Sequence, residues 1–387
     1  MANPVINPDA GLSPVEGGYI AYDPVRDRVH EMNALGALLA EVCDGSRSMD
    51  EIRDLAGPLM PEGRSAEIDR WIDEGIEAGL LVWGDGAIVR PHELTAGELS
   101  NLAEHLRDNG NTETAFLCSK RVAELTPEDA DAWYAVGWAA QAAGRRDEAR
   151  LAYGKYLEGR PEDAAIRQIL TALRDEAPPP RAPDECILQI FNDFSSHYDD
   201  KMRNNLSYQA PERLQELIRS EIGDAGGLEI LDIGCGTGLA GVGLKERAAH
   251  LAGIDLSPEM IELARERGIY DRLEVAEITA WLDGTQAEFD LIAACDCLVY
   301  FGDLQRVAAP AAKRLKPGGW FAFTTERGER YPFHLTDSGR YTHHPDHVRE
   351  VAAKAGLLVA RLEEGFLRTE RGVEVTGLLA LLRKSDH

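Results

Sequence analysis

Residues 228–260 read LEILDIGCGTGLAGVGLKERAAHLAGIDLSPEM, and this stretch decides the fold of the second half of the chain. A short apolar run leads into a glycine-rich turn at 234–238, then a helix-compatible segment and a second apolar run ending at Asp255. Glycines let the backbone approach a ligand closely, and the following helix offers free N–H groups. An acid after the next strand suits a ribose. Taken alone, the glycine-rich turn could also be a structural tight turn that binds no ligand.

The surrounding segments extend the pattern. Asp232 precedes the turn, and DLSPEM follows it at 255–260. Residues 289–294 resemble a fourth strand that leads to Asp296, and RLKPGGW at 314–320 resembles the turn before a fifth strand at 321–325. In series, these motifs resemble the S-adenosylmethionine (SAM)-dependent methyltransferases of the Rossmann-like class, over about residues 187–387. The resemblance implies an α/β fold with SAM as cofactor and S-adenosylhomocysteine as product.

The same resemblance implies a set of cofactor contacts. The glycine-rich turn and Asp232 would line the methionine part of the cofactor, and Asp255 with Leu256 would line the ribose. Glu277 and Ile278 would flank the adenine, and Asp296 would lie beside the sulfonium. Two tyrosines of a lead-in segment would fold over the cofactor or, alternatively, only pack. The cofactor-binding residues implied are Tyr198, Tyr208, Asp232, Gly234, Cys235, Gly236, Gly238, Asp255, Leu256, Met260, Glu277, Ile278 and Asp296. Glu277 stands where many relatives carry Asp.

Methyl transfer from a sulfonium is an in-line displacement that depends mainly on positioning and on exclusion of water. An acceptor hydroxyl, carboxylate or amine can also need a base, and His titrates near neutrality. The candidate catalytic residues are Tyr300, Arg340, Tyr341, His343 and His344. Idle surface histidines are the alternative. Cys295 and Cys297 share a face of an extended segment, but without a third ligand nearby they are expected to be buried thiols, and no metal site is expected.

Residues 14–92 predict a winged-helix α+β unit. Short strands at 19–22 and 28–32 flank a turn, three capped helical patterns follow, and a closing hairpin is expected near 80–83. The residues YDP at 22–24, DRVH at 27–30 and GLL at 79–81 resemble PqqD, the peptide chaperone of pyrroloquinoline quinone biosynthesis. That resemblance implies that a leader peptide adds as a strand. The implied peptide contacts are Arg28, Val29, His30, Glu31, Met32, Ile68 and Ile72. A role only in dimerisation or packing is the alternative.

Residues 93–175 align with themselves at an offset of 34, the tetratricopeptide period. Pro127 falls on Pro161, and Trp133, Gly137 and Tyr153 fall at signature places of the second copy. We expect α-helical repeats, capped by a neighbouring domain or a helix at 164–174, that space the other parts or bind peptide. The Pro-rich residues 176–186 are expected to form a stiff linker before the methyltransferase domain at 187–387.

Composition limits the partners. The formal net charge of −26 disfavours nucleic acid, because binding to phosphates depends largely on Lys and Arg. Six scattered cysteines and the lack of an apolar span or signal core predict a reduced, cytoplasmic chain without a membrane partner. The sequence therefore predicts a three-part methyltransferase that modifies a ribosomally made precursor peptide at an oxygen atom. Other maturation enzymes are possible partners through the repeats. Two alternatives stay open: methylation of a small-molecule metabolite, and a catalytically inactive scaffold that presents a peptide.

Overall fold

The computed structural model describes residues 2–59, 66–192, 207–223, 225–370 and 372–386. Contacts divide the chain into two compact units, Met1–Arg160 and Pro161–His387. The finer boundaries predicted from the sequence stay predictions. No helix within the described ranges is both long and apolar enough to span a bilayer.

The first unit begins with a small α+β arrangement. Its elements are β1 (Asn3–Ile6), β2 (Gly11–Val15), β3 (Gly18–Asp23), β4 (Arg28–Asn33), α1 (Ala34–Val42), α2 (Met49–Ala56), a 3-10 turn (Gly57–Leu59), α3 (Ala66–Ala78) and β5 (Leu81–Gly84). Strands β2, β3 and β4 form an antiparallel meander. The caps follow the predicted chemistry: the Asn33 side chain accepts from Gly36 N, and Ser48 and Glu51 form a capping box.

The predicted closing hairpin near residues 80–83 is corrected by the structure. β5 pairs antiparallel with β1, from Asn3 opposite Gly84 to Ile6 opposite Leu81. Val5 and Ile6 are buried, so β1 adds apolar surface to this core, which also contains Ile52 and Leu81. Residues 3–6 are thus part of the unit, although the sequence prediction began at residue 14.

Four helices complete the first unit: α4 (Ala96–Asp108), α5 (Thr112–Leu125), α6 (Ala130–Ala142) and α7 (Arg146–Gly159). They pack as neighbouring pairs in chain order. A Cβ added at Gly137 in α6 would lie 2.6 Å from the Tyr153 ring in α7, so the close approach of the two helices requires glycine there. The winged-helix and tetratricopeptide assignments of this unit stay predictions.

The second unit is an α/β domain built on one large sheet. Its helices are α8 (Ala164–Leu173), α9 (Asp184–Asn192), α10 (Ala210–Ile222), α11 (Leu239–Lys245), α12 (Pro258–Glu266), α13 (Ile278–Gly284), α14 (Gln305–Arg314) and α15 (Pro345–Lys354). Its strands are β6 (Leu228–Ile233), β7 (Ala248–Asp255), β8 (Arg272–Val275), β9 (Phe289–Ala294), β10 (Leu315–Arg327), β11 (Phe333–Leu335), β12 (Tyr341–His343), β13 (Leu357–Glu370) and β14 (Val373–Lys384).

The main strand order is β8, β7, β6, β9, β10, β14, β13. The first five are parallel, and β14 runs antiparallel to β10. Alternate residues of the central strands enter two cores: Leu231 and Ile292 face one, Ile230 and Leu291 the other. The chain leaves β6 toward β7 on one side and later returns to β9 on the other side. This reversal opens a crevice at the carboxyl ends of β6 and β9, the place where such sheets bind ligands.

The Pro-rich segment before α9 packs within the second unit. Ala182 N donates to Tyr300 O at 2.8 Å, and Gly302 N donates to Pro180 O at 2.9 Å. The Tyr341 hydroxyl donates to Pro179 O at 2.7 Å. Backbone hydrogen bonds thus tie residues 180–182 to the loop after β9, and the assignment of residues 176–186 as a stiff linker stays a prediction.

Candidate active site

The glycine-rich turn joins β6 to α11 at the crevice. Gly234, Gly236 and Gly238 have φ values of +66°, +53° and +87°, a region that side chains disfavour. A Cβ added at Gly234 would lie 2.5 Å from the Cβ of Cys297. The turn therefore needs glycine for its backbone conformation and, at Gly234, also for space.

Asp232 is the last acid before the turn and has no exposed surface. Its Oδ2 accepts a 2.7 Å hydrogen bond from the Tyr270 hydroxyl, whereas Oδ1 is buried without a hydrogen-bond partner among the described residues. Burial raises the pKa of Asp232 to about 7, although the Tyr270 hydrogen bond opposes the shift. A buried oxygen without a partner marks a position where a ligand donor would be stabilised.

Asp255 ends β7 and orients the turn. Its Oδ2 accepts from Gly236 N at 2.8 Å, and its Oδ1 accepts from Ser257 N at 2.9 Å. Burial raises its pKa against these backbone hydrogen bonds. Each carboxylate oxygen has a second lone pair, so Asp255 can still accept from a ligand hydroxyl.

Two adjoining clefts meet at the turn and share Gly234, Gly236 and Cys295. The smaller encloses about 330 Å³ of empty space and is also lined by Tyr208, Asp232, Cys235, Thr237, Leu239 and Ala240. The larger encloses about 590 Å³ and is also lined by Arg181, Ile187, Phe191, Asp255, Leu256, Glu277, Ile278, Asp296, Cys297, Tyr300 and Phe301. These linings bring most of the predicted cofactor contacts together.

Three predicted cofactor contacts fall elsewhere. Gly238 is absent from both linings, and its backbone packs close to Tyr270. Met260 is fully buried in α12 and does not line either cleft. Tyr198 lies outside the described residues. Gly238 and Met260 thus do not line the space where a ligand would bind.

Glu277 caps the N-terminus of α13 in the larger cleft. Its side chain accepts from Ala280 N at 2.8 Å and from the Thr279 hydroxyl at 2.6 Å. Burial works against the charged form, but these hydrogen bonds and the charge of Arg181 hold its pKa below the usual value. An ionised acceptor therefore lines the cleft at the end of the third sheet strand.

Asp296 follows β9 with a positive φ of 54°. Arg368 donates to both of its carboxylate oxygens, at 2.9 and 3.0 Å, and also donates to Glu326. Arg340 continues the network by contacting Glu326 at 2.8 Å and by donating to Glu370. Burial opposes the charge of Arg368, yet the surrounding carboxylates raise its pKa. Asp296 is therefore held by a fixed guanidinium, and Arg340 lies in a structural charge network rather than in a cleft lining.

Of the five predicted catalytic residues, Tyr300 lines the larger of these two clefts and the other four line neither. It packs edge-on against Phe191 with ring centroids 5.8 Å apart, and burial raises its pKa. Tyr341 is fully buried, and burial raises its pKa to about 12. His344 caps α15 by accepting from Asp346 N. Tyr341 and His344 are thus engaged within the fold, and a base supplied by this insertion stays a prediction.

His343 shows this engagement most clearly. It has no exposed surface; its ring nitrogens contact the Thr325 hydroxyl at 2.7 Å and the Phe301 carbonyl at 2.8 Å. Since a carbonyl only accepts, Nε2 carries the proton and Nδ1 accepts from Thr325. Burial lowers the pKa of His343 to about 3. The ring is a neutral structural bridge between β12, β10 and the loop after β9.

The structure also corrects part of the predicted peptide surface in the first unit. Ile68 and Ile72 have no exposed surface and belong to the core, and Met32 is buried as well. Arg28 and Glu31 remain at the surface, and Val29 and His30 are half-buried. A peptide beside β4 would therefore meet the strand backbone and these side chains, not the two isoleucines.

The sequence analysis missed Arg181, Ile187, Phe191 and Phe301 as lining residues. No local motif identifies them: the first three lie in a segment interpreted as a linker and a lead-in, and Phe301 lies in the loop after β9. Within the part of the chain that the structure describes, no group of three or more His, Cys, Asp or Glu side chains is arranged to hold a metal ion.

Comparison with known proteins agrees with the geometry. Residues 230–319 match the model of a methyltransferase domain. A ubiquinone biosynthesis O-methyltransferase of Hydrogenovibrio crunogenus is 27% identical over 41% of this chain and 70% of its own length. Its namesake in Xylella fastidiosa is 38% identical over 24% of this chain and 39% of its own length. A solved 1,6-didemethyltoxoflavin-N1-methyltransferase of Burkholderia thailandensis is 21% identical, covers 54% of this chain and 93% of that one, and has a TM-score of 0.42.

The second unit is thus a Rossmann-like α/β domain of the methyltransferase class. The enzyme is a methyltransferase that depends on S-adenosylmethionine. The site fits this cofactor: the unpartnered Oδ1 of Asp232 can accept from an amino group, and Asp255 can accept from ribose hydroxyls. Both acids line clefts that meet at the glycine turn.

Proposed function

We propose that this chain methylates a ribosomally synthesised precursor peptide at an oxygen atom, and that the first unit binds the leader of that peptide. The open edge of β4 carries this proposal. Within the described residues of the unit, β4 pairs only with β3, from Arg28 opposite Asp23 to Asn33 opposite Gly18. Its other edge leaves backbone N–H and C=O groups available to an added strand.

Strand β4 is held in place by a side-chain hydrogen bond, and it carries a polar atom that a bound peptide could contact. Arg28 donates to Ala78 O at the end of α3 at 2.7 Å, which ties the strand to that helix. His30 Nε2 is buried without a partner among the described residues, and burial lowers the His30 pKa. A peptide strand would supply hydrogen bonds along the backbone and could satisfy this nitrogen.

In the second unit, the cofactor supplies a methyl group on a sulfonium. The residues of the chain position the reactants and keep water out. Asp232 would hold the amino group of the methionine part, Asp255 the ribose, and Glu277 the adenine. Phe191, Tyr300 and Phe301 form an apolar wall of the larger cleft, where they exclude water.

The acceptor chemistry follows from the groups near Asp296. Asp296 is occupied by Arg368, and the raised pKa of Tyr300 keeps its hydroxyl protonated at neutral pH. Neither side chain is suited to remove a proton. The proposed acceptor is therefore an oxygen that is already ionised near neutrality, such as a peptide carboxylate.

A second candidate is methylation of a small molecule. It is supported by the names of the curated relatives, ubiquinone biosynthesis O-methyltransferases, which match 24–41% of this chain. In that case the first unit and its helices would serve oligomerisation or packing. In the peptide proposal, the helices α4 to α7 would instead space the two activities or contact other maturation enzymes.

The test uses the full chain, SAM with an isotopically labelled methyl group, and the short peptides encoded in reading frames beside the gene. We expect label on one full-length peptide, much slower labelling of the same peptide without its leader, and inhibition by the isolated leader. Equal rates with and without the leader, or labelling of a phenolic quinone precursor but of no peptide, would favour the small-molecule function.

A further inference from the structure

The Pro-rich segment contributes a charged side chain to the larger cleft. Arg181 and Phe301 form an isolated antiparallel bridge, flanked by the backbone bonds of Pro180 and Ala182 to the loop after β9. Because the segment is fixed at the backbone on both sides of Arg181, the position of this side chain is set by the fold. Arg181 lines the same cleft as Glu277 and Ile278.

The Arg181 guanidinium has three neighbours. It donates to Asp184, lies 5.4 Å above the centroid of the Phe301 ring, and has its Nη1 3.3 Å from Glu277 Oε1. Only 17% of the side chain is exposed. These contacts hold the guanidinium between an aromatic ring and two carboxylates, which limits the directions in which its Nε–H can donate.

Two polar atoms in this arrangement are left over. Arg181 Nε and Glu277 Oε1 are both buried without a hydrogen bond in the described ranges, and the 3.3 Å contact of Oε1 with Nη1 is an ion pair that does not meet hydrogen-bond geometry. Nε–H can only donate, and the carboxylate oxygen can only accept. A donor on Arg181 and an acceptor on Glu277, in one cleft, match the adenine edge, which offers an acceptor at N1 and a donor at its 6-amino group. Hypoxanthine presents the opposite pattern, a 6-oxo acceptor and an N1–H donor.

We propose that Arg181 determines specificity for the adenine base of the cofactor, acting together with Glu277 as a donor and acceptor pair. The inference rests on the proposed position of adenine beside Glu277. It assigns to the segment before the methyltransferase domain a direct part in recognition of the cofactor. A site that hydrogen-bonds a polar edge strongly rejects an analogue whose edge is reversed, since its own buried groups then stay unpaired.

The experiment is calorimetric titration of the full-length protein with S-adenosylhomocysteine and with S-inosylhomocysteine. The wild type is expected to prefer the adenine compound by at least ~30-fold. Arg181→Met should weaken binding of the adenine compound ~10-fold and reduce the preference by at least ~3-fold. Arg181→Lys keeps a positive charge beside Glu277 and Asp184 but lacks Nε, so it should lose preference while its Tm stays close to that of the wild type. The matched control is Arg174→Met, an exposed arginine near Glu176 that should change neither constant.

A preference that stays at the wild-type ratio in both Arg181 variants would overturn the proposal. An equal loss of affinity for the two compounds is one form of this result, and a purely structural role of the segment predicts it. Wild-type protein that binds neither compound would instead contradict the cofactor assignment itself, and this outcome is distinct from a lost preference.

Discussion

Asp232 is fully buried and the Asp296 side chain is 12% exposed. Both acids lie at the ends of neighbouring strands and line the clefts at the glycine turn, but their hydrogen-bond partners differ. Asp232 contacts a neutral Tyr270 hydroxyl and has a free oxygen. Asp296 has both oxygens bonded to Arg368. The charge of Asp296 is thus balanced within the fold, whereas that of Asp232 is balanced only when a ligand supplies a cation. The difference distinguishes a structural acid from a binding acid.

The largest expected effect on stability is at Asp296, the acid that is paired with Arg368. Arg368→Met removes the cation that binds Asp296 and Glu326, so Asp296 loses its partner and Glu326 keeps only Arg340. We expect the free energy of unfolding to fall by about 3–5 kcal/mol in chemical denaturation. Arg361→Met, on the same strand but half-exposed beside Glu363, is the control and should cost below about 1 kcal/mol. A loss at Arg368 no greater than at Arg361 would show that the network does not neutralise Asp296.

The second-largest effect on stability is expected in the glycine-rich turn at residues 234–238. Gly234→Ala would place a Cβ against Cys297 at a positive φ, and we expect a loss of about 2–4 kcal/mol in unfolding free energy. Gly226→Ala, where the added Cβ meets open space, should leave stability nearly unchanged. Similar stability of the two variants would mean that Cys297 moves aside and that the turn tolerates a side chain.

His343 is a third buried titratable group, and its surroundings stabilise only the neutral ring. Its pKa is about 3 in the folded chain and about 6.5 when unfolded, so its contribution to stability is present above pH 6.5 and is lost as the pH falls toward 3. At pH 5 the loss is about 2 kcal/mol relative to pH 7.5. In His343→Gln this part of the pH dependence should disappear when unfolding is measured at both values. An unchanged slope would indicate that His343 becomes protonated without cost.

The sequence predicted the parts of the site that lie close together along the chain. The turn, Asp232 and Asp255 fall within one strand, helix and strand unit, and their spacing is a local motif. The partners that distinguish the acids were not predictable. Arg368 is 72 residues from Asp296, and no short pattern signals this pairing. Arg181 and Glu277, like β1 and β5, are also brought together only by tertiary packing.

The same limit applies to the insertion after β10. Arg340, Tyr341 and His343 have the chemistry of catalytic residues, and sequence patterns do not reveal whether such side chains are buried and already bonded. Ile68 and Ile72 lie on a helix whose apolar stripe was expected to meet a peptide, but the stripe packs into the core. Amphipathic spacing identifies a buried face without identifying what covers it.

The most direct test of the contrast between the two acids is the pH dependence of cofactor binding. The Asp232 pKa of about 7 means that its carboxylate is ionised above neutrality and can pair with the amino group of the cofactor. Calorimetry with S-adenosylhomocysteine should therefore show about tenfold weaker binding at pH 6 than at pH 8, and Asp232→Asn should bind weakly at both values with most of this dependence removed. Asp271→Asn, at an exposed ion pair with Lys245, should behave like the wild type. Equal affinity of the wild type at both pH values, or unchanged binding by Asp232→Asn, would contradict the assignment of Asp232 as the acid that awaits a ligand cation.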